Sequence, residues 1–253
     1  MTRFRLLSAL LAVLLLGLSL ASARPAVAQQ ASFSPAQKAE IEAMIRSYLV
    51  KNPEVLVEAM HALDAKQQAS AAEASRAAIT ANRKEIYEDG VSYVAGNPKG
   101  DVTIVEFFDY RCPYCKQMQP HIQTVLKEDG KVRLILKELP VLGPESVVAS
   151  RAAIAALEQG QGKYLAFHDA MMAFRGQLSD AEIFRMAGEA GLDLAKLKTD
   201  MEAPKVAAVL HANLALANKL GIDGTPGFVI GGELVPGAIS LDSLRHLVQA
   251  ARS

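Results

Sequence analysis

The chain's only two cysteines stand three residues apart in Cys112-Pro113-Tyr114-Cys115. Thiols at that spacing can open and close a disulfide, hold a soft metal ion, or cross-link a fold. The apolar, β-branched run Val102–Phe108 before them reads as a strand buried on both faces. Pro113 suits the first turn of a helix reaching about residue 128. Cys112 therefore falls where a helix begins, at the positive end of its dipole and beside unpaired N–H groups. A thiolate is stabilised there and can attack or leave near neutral pH. Cys112 is expected to be the exposed nucleophile. Cys115, one turn further in, is expected to be the buried thiol that resolves a mixed disulfide. Arg111 and Lys116 are expected to add positive charge that favours the thiolate.

Three plainer uses of the pair compete. A structural cross-link between positions i and i+3 closes so small a loop that it contributes only about 2 kcal/mol. A structural zinc site needs four ligands, and His61, His121, His168, His211 and His246 are scattered. Cu(I) requires only soft ligands such as thiolates and stays open as an alternative. Thiol–disulfide exchange requires no metal and no cofactor. Two further features bear on the choice. Glu106 interrupts the apolar strand, where a carboxyl group is costly unless it is used, and Lys137 is a candidate partner for it. Gly224-Thr225-Pro226-Gly227 precedes a late strand. Proline is tolerated at the start of a central strand but not inside it, and X-Pro bonds alone tolerate the cis form.

The surrounding elements read as α/β. Val102–Phe108, a helix and a second strand over 132–136 form a parallel βαβ unit. Residues 144–219 read as several helices. The runs 228–230 and 233–235 flank Gly231-Gly232 as a hairpin, and a last helix covers 241 to about 251. Upstream, Ser34-Pro35-Ala36-Gln37 is a capping box, and Ile41, Met44, Ile45, Tyr48 and Leu49 share one helical face. Asn52 is expected to cap a second helix running unbroken over 53–88. Its apolar register holds at Leu56, Met60 and Leu63, then falls on Gln67, Ser70, Ala74, Ala77 and Ala81, a thin alanine-rich rod. Residues 34–63 are too short to bury their own apolar stripe, so several copies are expected to pack together.

At the start, Arg3 and Arg5 precede an apolar run over residues 6–20, and Ala26-Val27-Ala28 supplies small residues for cleavage. About 15 apolar residues fall short of the roughly 20 that span a bilayer, so a cleaved signal peptide is expected over 1–28. Its removal leaves 24 basic against 27 acidic residues, a net charge of −3. That balance excludes a strongly basic nucleic-acid binder, and two cysteines exclude a disulfide-stapled scaffold.

The run Phe107-Phe108-Asp109-Tyr110-Arg111-Cys112-Pro113-Tyr114-Cys115, a helical insertion, and Gly224-Thr225-Pro226 with Phe228-Val229-Ile230-Gly231 resemble the DsbA-type thioredoxin-fold oxidoreductases across residues 91–253. The resemblance implies a thioredoxin-like fold with inserted helices at about 143–219, and a cis Thr225–Pro226 bond facing the sulfurs. It implies catalytic roles for Cys112, Cys115, Pro226 and Glu106, the last relaying protons to Cys115. It places Thr225, Pro113 and Tyr114 beside the substrate peptide. The inner dipeptide is Pro-Tyr, not the Pro-His of the strongly oxidising members, and tyrosine cannot supply a histidine's charge. At about 1.4 kcal/mol per 30 mV, one lost interaction moves the potential toward isomerase or reductase behaviour. A threonine before the proline is shared with isomerases of the DsbC and DsbG type.

The N-terminal helices and rod resemble ScsC proteins (suppressor of copper sensitivity), which implies a homo-oligomer, dimer or trimer, and a link to copper tolerance. The expected division is 29–63 for oligomerisation, 64–90 as helical linker and 91–253 as the catalytic domain. The expected function is periplasmic thiol–disulfide exchange, as isomerase or reductase, on unfolded or misfolded proteins, with a membrane thiol reductase or oxidase as redox partner. The alternatives are a monomeric oxidant and a Cu(I)-binding chaperone.

Overall fold

The computed structural model describes residues 33–252, so the expected signal peptide lies outside the described residues. The chain forms two compact units that meet between Ala62 and Leu63.

In the first unit, helix α1 (Pro35–Lys51) opens on the expected capping box. Ser34 Oγ accepts the Gln37 N–H at 3.3 Å, and Gln37 Oε1 accepts the Ser34 N–H at 2.9 Å. Asn52 does not cap the helix that follows. Its side-chain amide donates back to the Tyr48 carbonyl at 2.8 Å, beside the Asn52 N–H at 2.9 Å, so Asn52 closes the end of α1 instead. No side chain of α1 is buried, and Met44 and Met60 are each 64% exposed.

Helix α2 (Glu54–Ala81) ends seven residues short of the expected Glu88. The Asn82 amide donates to the Ala78 carbonyl at 2.8 Å, and a short helix α3 (Arg83–Tyr87) restarts the chain. This stretch is not a free rod. Ile79 and Ile86, two turns apart and thus on one face, are buried against Val105, Phe107, Leu220 and Val229.

The second unit is built on one sheet in the order β1-β3-β2-β4-β5. Its strands are β1 (Tyr93–Gly96), β2 (Val102–Phe108), β3 (Val132–Glu138), β4 (Gly227–Ile230) and β5 (Glu233–Pro236). Strands β2 and β3 are parallel across helix α4 (Pro113–Glu128), and the other pairs are antiparallel. Strand β1, four residues ending in a glycine, is too short to announce itself by alternation. The inserted helices are α5 (Pro144–Leu157), α6 (Gln161–Ala173), α7 (Asp180–Glu189), α8 (Leu194–Asp200) and α9 (Pro204–Leu220), and α10 (Leu241–Ala250) closes the chain. Ile104, Phe108, Leu134 and Leu136 face one core, while Val105, Phe107 and Ile135 face the other. This is the thioredoxin-like α/β arrangement.

Strand parity corrects one expected contact. Glu106 lies opposite Leu136, and Lys137 lies opposite Phe107, so Glu106 and Lys137 point to opposite faces and do not pair. Lys137, 1% exposed, instead donates to Asp89 Oδ2 at 2.5 Å and to Ser92 Oγ at 3.2 Å. Asp89→Ala strands a buried ammonium and is expected to cost about 3 kcal/mol at neutral pH, read from urea unfolding. Burial alone would raise the Asp89 carboxyl, but hydrogen bonds from Lys137 and Ser92 outweigh it and lower it. Its stabilisation is therefore present above the ordinary carboxylate range and fades as pH falls through the lowered value. An Asp89→Ala penalty that persists in acid contradicts this.

Candidate active site

The chain leaves β2 through a four-residue turn and begins α4 with Cys112 as its N-cap. The Cys112 N–H donates to the Asp109 carbonyl at 3.0 Å, and the Cys112 carbonyl accepts the Lys116 N–H at 3.1 Å. Pro113 occupies the first helical turn, where a missing N–H costs nothing. The Thr225–Pro226 bond is cis, and the Pro226 carbonyl accepts the Gly237 N–H at 2.9 Å, which ties that loop to the end of β5. The Cys112 thiol donates to the Thr225 carbonyl at 3.1 Å.

Cys112 is therefore not exposed, as its position in the sequence implied. It is 3% accessible, because the 225–226 loop covers the helix start from the other end of the domain. Cys115 is wholly buried, and Tyr114 between them is 60% exposed. Both cysteines are free thiols.

The two thiols are driven apart. Cys112 is lowered to about 6, chiefly by the hydrogen bond from Cys115. Burial opposes this, while the Thr225 side chain and the N–H groups of Cys115 and Tyr114 at the helix start assist it. Cys115 is driven far above the ordinary thiol range by burial, by the bond it gives Cys112 and by the Glu106 charge. Near neutral pH one sulfur is thus ionised while the other keeps its proton. The expected contribution of Arg111 and Lys116 is not what does this. Arg111 is drawn off to the Leu142 carbonyl and to Glu145 at 2.9 Å, and the Lys116 ammonium donates to the Phe174 carbonyl.

Glu106 is 1% exposed, and neither carboxyl oxygen has a protein partner. Burial, and then the Cys112 charge, raises it to about 8. The residues singled out in the sequence thus split into two groups. Cys112, Cys115, Pro113, Tyr114, Thr225 and Pro226 converge around the sulfurs, and Glu106 lies behind them, close enough that its charge is felt at Cys115.

Two acids escaped notice. Asp109 is buried in the cysteine turn. Glu138 closes β3, 2% exposed, accepting the Tyr164 hydroxyl at 3.0 Å; burial raises it to about 7. Like Glu106, Glu138 is an acid in a largely apolar strand. His168 is a core residue, with Nδ1 3.0 Å from the Tyr110 hydroxyl and its ring stacked on Tyr164. Burial lowers it to about 3, so it is neutral. Among the described residues no three Cys, His, Asp or Glu side chains converge to hold a metal ion.

Comparison with known proteins agrees with this geometry. Residues 103–249 match the family described as DSBA-like thioredoxin domain, and residues 37–70 match the copper resistance protein ScsC N-terminal domain. A thioredoxin-like oxidoreductase from Silicibacter pomeroyi is 47% identical, with a TM-score of 0.65 over 68% of this chain and 98% of that one. Proteus mirabilis ScsC in a transitional conformation is 32% identical, with a TM-score of 0.65 over 88% of this chain and 98% of that one. Among curated proteins, the Na(+)/H(+) antiporter NhaA 3 of Salinispora tropica is 30% identical over 161 residues, 63% of this chain. The chain spans about a quarter of the length of the NhaA relatives it matches, 24% in that case. With a family match across the strand, the cysteine turn and the cis-proline loop, the chain belongs to the DSBA-like thioredoxin domain family.

Proposed function

We propose that this protein is a periplasmic thiol–disulfide oxidoreductase that reduces or isomerises disulfides in unfolded or misfolded proteins. The observation that carries the reading is the split pair, an ionisable Cys112 at the start of α4 beside a protonated, buried Cys115. The Cys112 thiolate attacks one sulfur of a substrate disulfide. A Cys112–substrate disulfide forms, and the other substrate sulfur leaves as a thiolate. Attack of a different thiolate of the same substrate on the substrate sulfur of the mixed disulfide releases the Cys112 thiolate and leaves a new pairing, which completes isomerisation. Alternatively Cys115 passes its proton to the ionised form of Glu106, the minor form at pH 7, and attacks Cys112. The mixed disulfide breaks, the second substrate thiolate leaves, and Cys112–Cys115 closes with two electrons given to the substrate. Thr225 and Pro226, with Pro113 and Tyr114, line the approach to Cys112 and position the substrate peptide. A membrane thiol reductase or oxidase resets the pair. Insulin reduction by the reduced protein tests the reading, and absence of turnover overturns it.

Export is supported by the basic, apolar and small-residue order of residues 1–28. Self-association is supported by the unburied apolar side chains of the first unit, Met44, Ile45, Tyr48, Leu56 and Met60, within the stretch that matches the ScsC N-terminal domain. Second copies of this segment are the proposed occupants. Because Ile79 and Ile86 belong to the catalytic unit's core, a deletion that isolates the effect stops at Ala62. Lacking residues 29–62, the protein is expected to sediment as a monomer, with lower isomerase and higher oxidase activity. A full-length monomer in sedimentation contradicts this.

A further inference from the structure

We propose that Asp109 is the positioning residue of the cysteine pair: its buried carboxylate ties the turn carrying both thiols to the loop and helix that open the inserted helices. The inference deepens the thiol-exchange reading and rests on it. Asp109 has no exposed surface, yet four donors from three segments meet its oxygens. Oδ1 accepts the Arg111 N–H at 2.7 Å and the Ser146 hydroxyl at 2.8 Å. Oδ2 accepts the Val141 N–H at 2.9 Å and the Leu142 N–H at 3.0 Å. With every partner a donor, the group is held as an acceptor on both oxygens. The other two buried acids are not held this way. Glu106 has no protein partner, and the Glu138 carboxyl has one donor from another residue, the Tyr164 hydroxyl.

What the side chain fixes, the main chain of the same residue transmits to the sulfurs. The Asp109 carbonyl accepts the Cys112 N–H at 3.0 Å, and a backbone hydrogen bond from Asp109 reaches the Cys115 thiol. Arg111 repeats the tie from its own side, donating to the Leu142 carbonyl and to Glu145. The charged groups around Asp109 are therefore Arg111, Glu145 and Lys116, the last of which feels its charge.

Position and charge make opposite demands, which allows them to be separated. If Asp109 acted only as a nearby negative charge, removing that charge would ease ionisation of Cys112. If it acts by holding the turn, removing the carboxylate lets Cys112 drift from the Cys115 thiol and from the N–H groups of Tyr114 and Cys115, and ionisation becomes harder.

The test is the rate of Cys112 alkylation by iodoacetamide against pH in the reduced full-length protein. Asp109→Asn is expected to move the Cys112 titration upward, each unit cutting the rate at about pH 5 roughly tenfold. Ser146→Ala removes one donor of four and is expected to move it the same way by less. Should the asparagine variant fail to fold, the Ser146→Ala shift carries the test alone. A Cys112 titration that is unmoved or moves down, with thermal stability lowered, makes Asp109 structural and overturns the inference. A wild-type protein with no insulin reduction overturns the exchange reading instead.

Discussion

With Cys115 replaced by serine, the protein is expected to stop at the mixed disulfide, covalently held to its substrate through Cys112. A serine hydroxyl can still donate to the Cys112 sulfur, the bond that contributes most to its ionisation in the native pair, so the attacking thiolate survives. It cannot displace a substrate sulfur, so apart from attack by the substrate's own thiolates, release waits for an external thiol. Well-oriented intramolecular groups act at effective molarities of about 10⁵ M or more, against millimolar thiol in a buffer. Turnover in insulin reduction is expected to fall about 10³-fold or more, and substrate adducts that disappear on reduction should appear on non-reducing gels. Cys112→Ser should give neither turnover nor adducts. Near-native turnover by the Cys115→Ser protein contradicts the assignment of Cys115 as the resolving thiol.

Glu106→Gln is expected to change stability and chemistry in opposite directions. Burial raises the folded carboxyl to about 8 from its ordinary 4.5, so between those values the folded state holds a proton that the unfolded chain has lost. Raising the pH through this window therefore destabilises the wild type, by about 3 kcal/mol at pH 7 and about 5 kcal/mol above pH 8. Glutamine does not titrate. The two reduced proteins should thus converge in stability near pH 4.5 and separate with rising pH, the variant being the more stable. The same substitution removes the group proposed to take the Cys115 proton, and the resolving step should slow about 10²-fold, leaving the mixed disulfide to accumulate. Parallel stability curves, or an unchanged resolving rate, contradict a titrating role for Glu106.

What the sequence disclosed was what depends on neighbours along the chain. The cysteine turn, strand β2, the start of α4, the hairpin at Gly231-Gly232 and the Ser34 capping box are local, and each follows from propensity and spacing. What it withheld depends on residues far apart. Cys112 is covered by Thr225, 113 positions away, which no helix-start argument contains. The Glu106–Lys137 pairing failed on strand parity, which requires the register between β2 and β3. The docking of Ile79 and Ile86 was hidden by an alanine-rich background that looked like an unsupported rod, although their seven-residue spacing already placed them on one face. Asp109 read as a turn residue, because its donors at Val141, Leu142 and Ser146 arrive from across the domain.

The lowered Cys112 thiol also bears on the direction of exchange. With the folded thiol lowered to about 6 from its ordinary 9, ionisation favours the reduced protein at pH 7 by about 1.4 kcal/mol, or about 30 mV toward the oxidising side. That is the share which Cys115 and the helix start provide without the histidine found in the strongly oxidising relatives.

The exchange chemistry depends on the ionisation of one sulfur, which can be measured directly. The absorbance of the reduced protein at 240 nm, where thiolate absorbs and thiol does not, should rise with a single midpoint near pH 6 and be absent from Cys112→Ser. A midpoint in the ordinary thiol range, above about pH 8, would mean that the helix start and Cys115 do not activate Cys112.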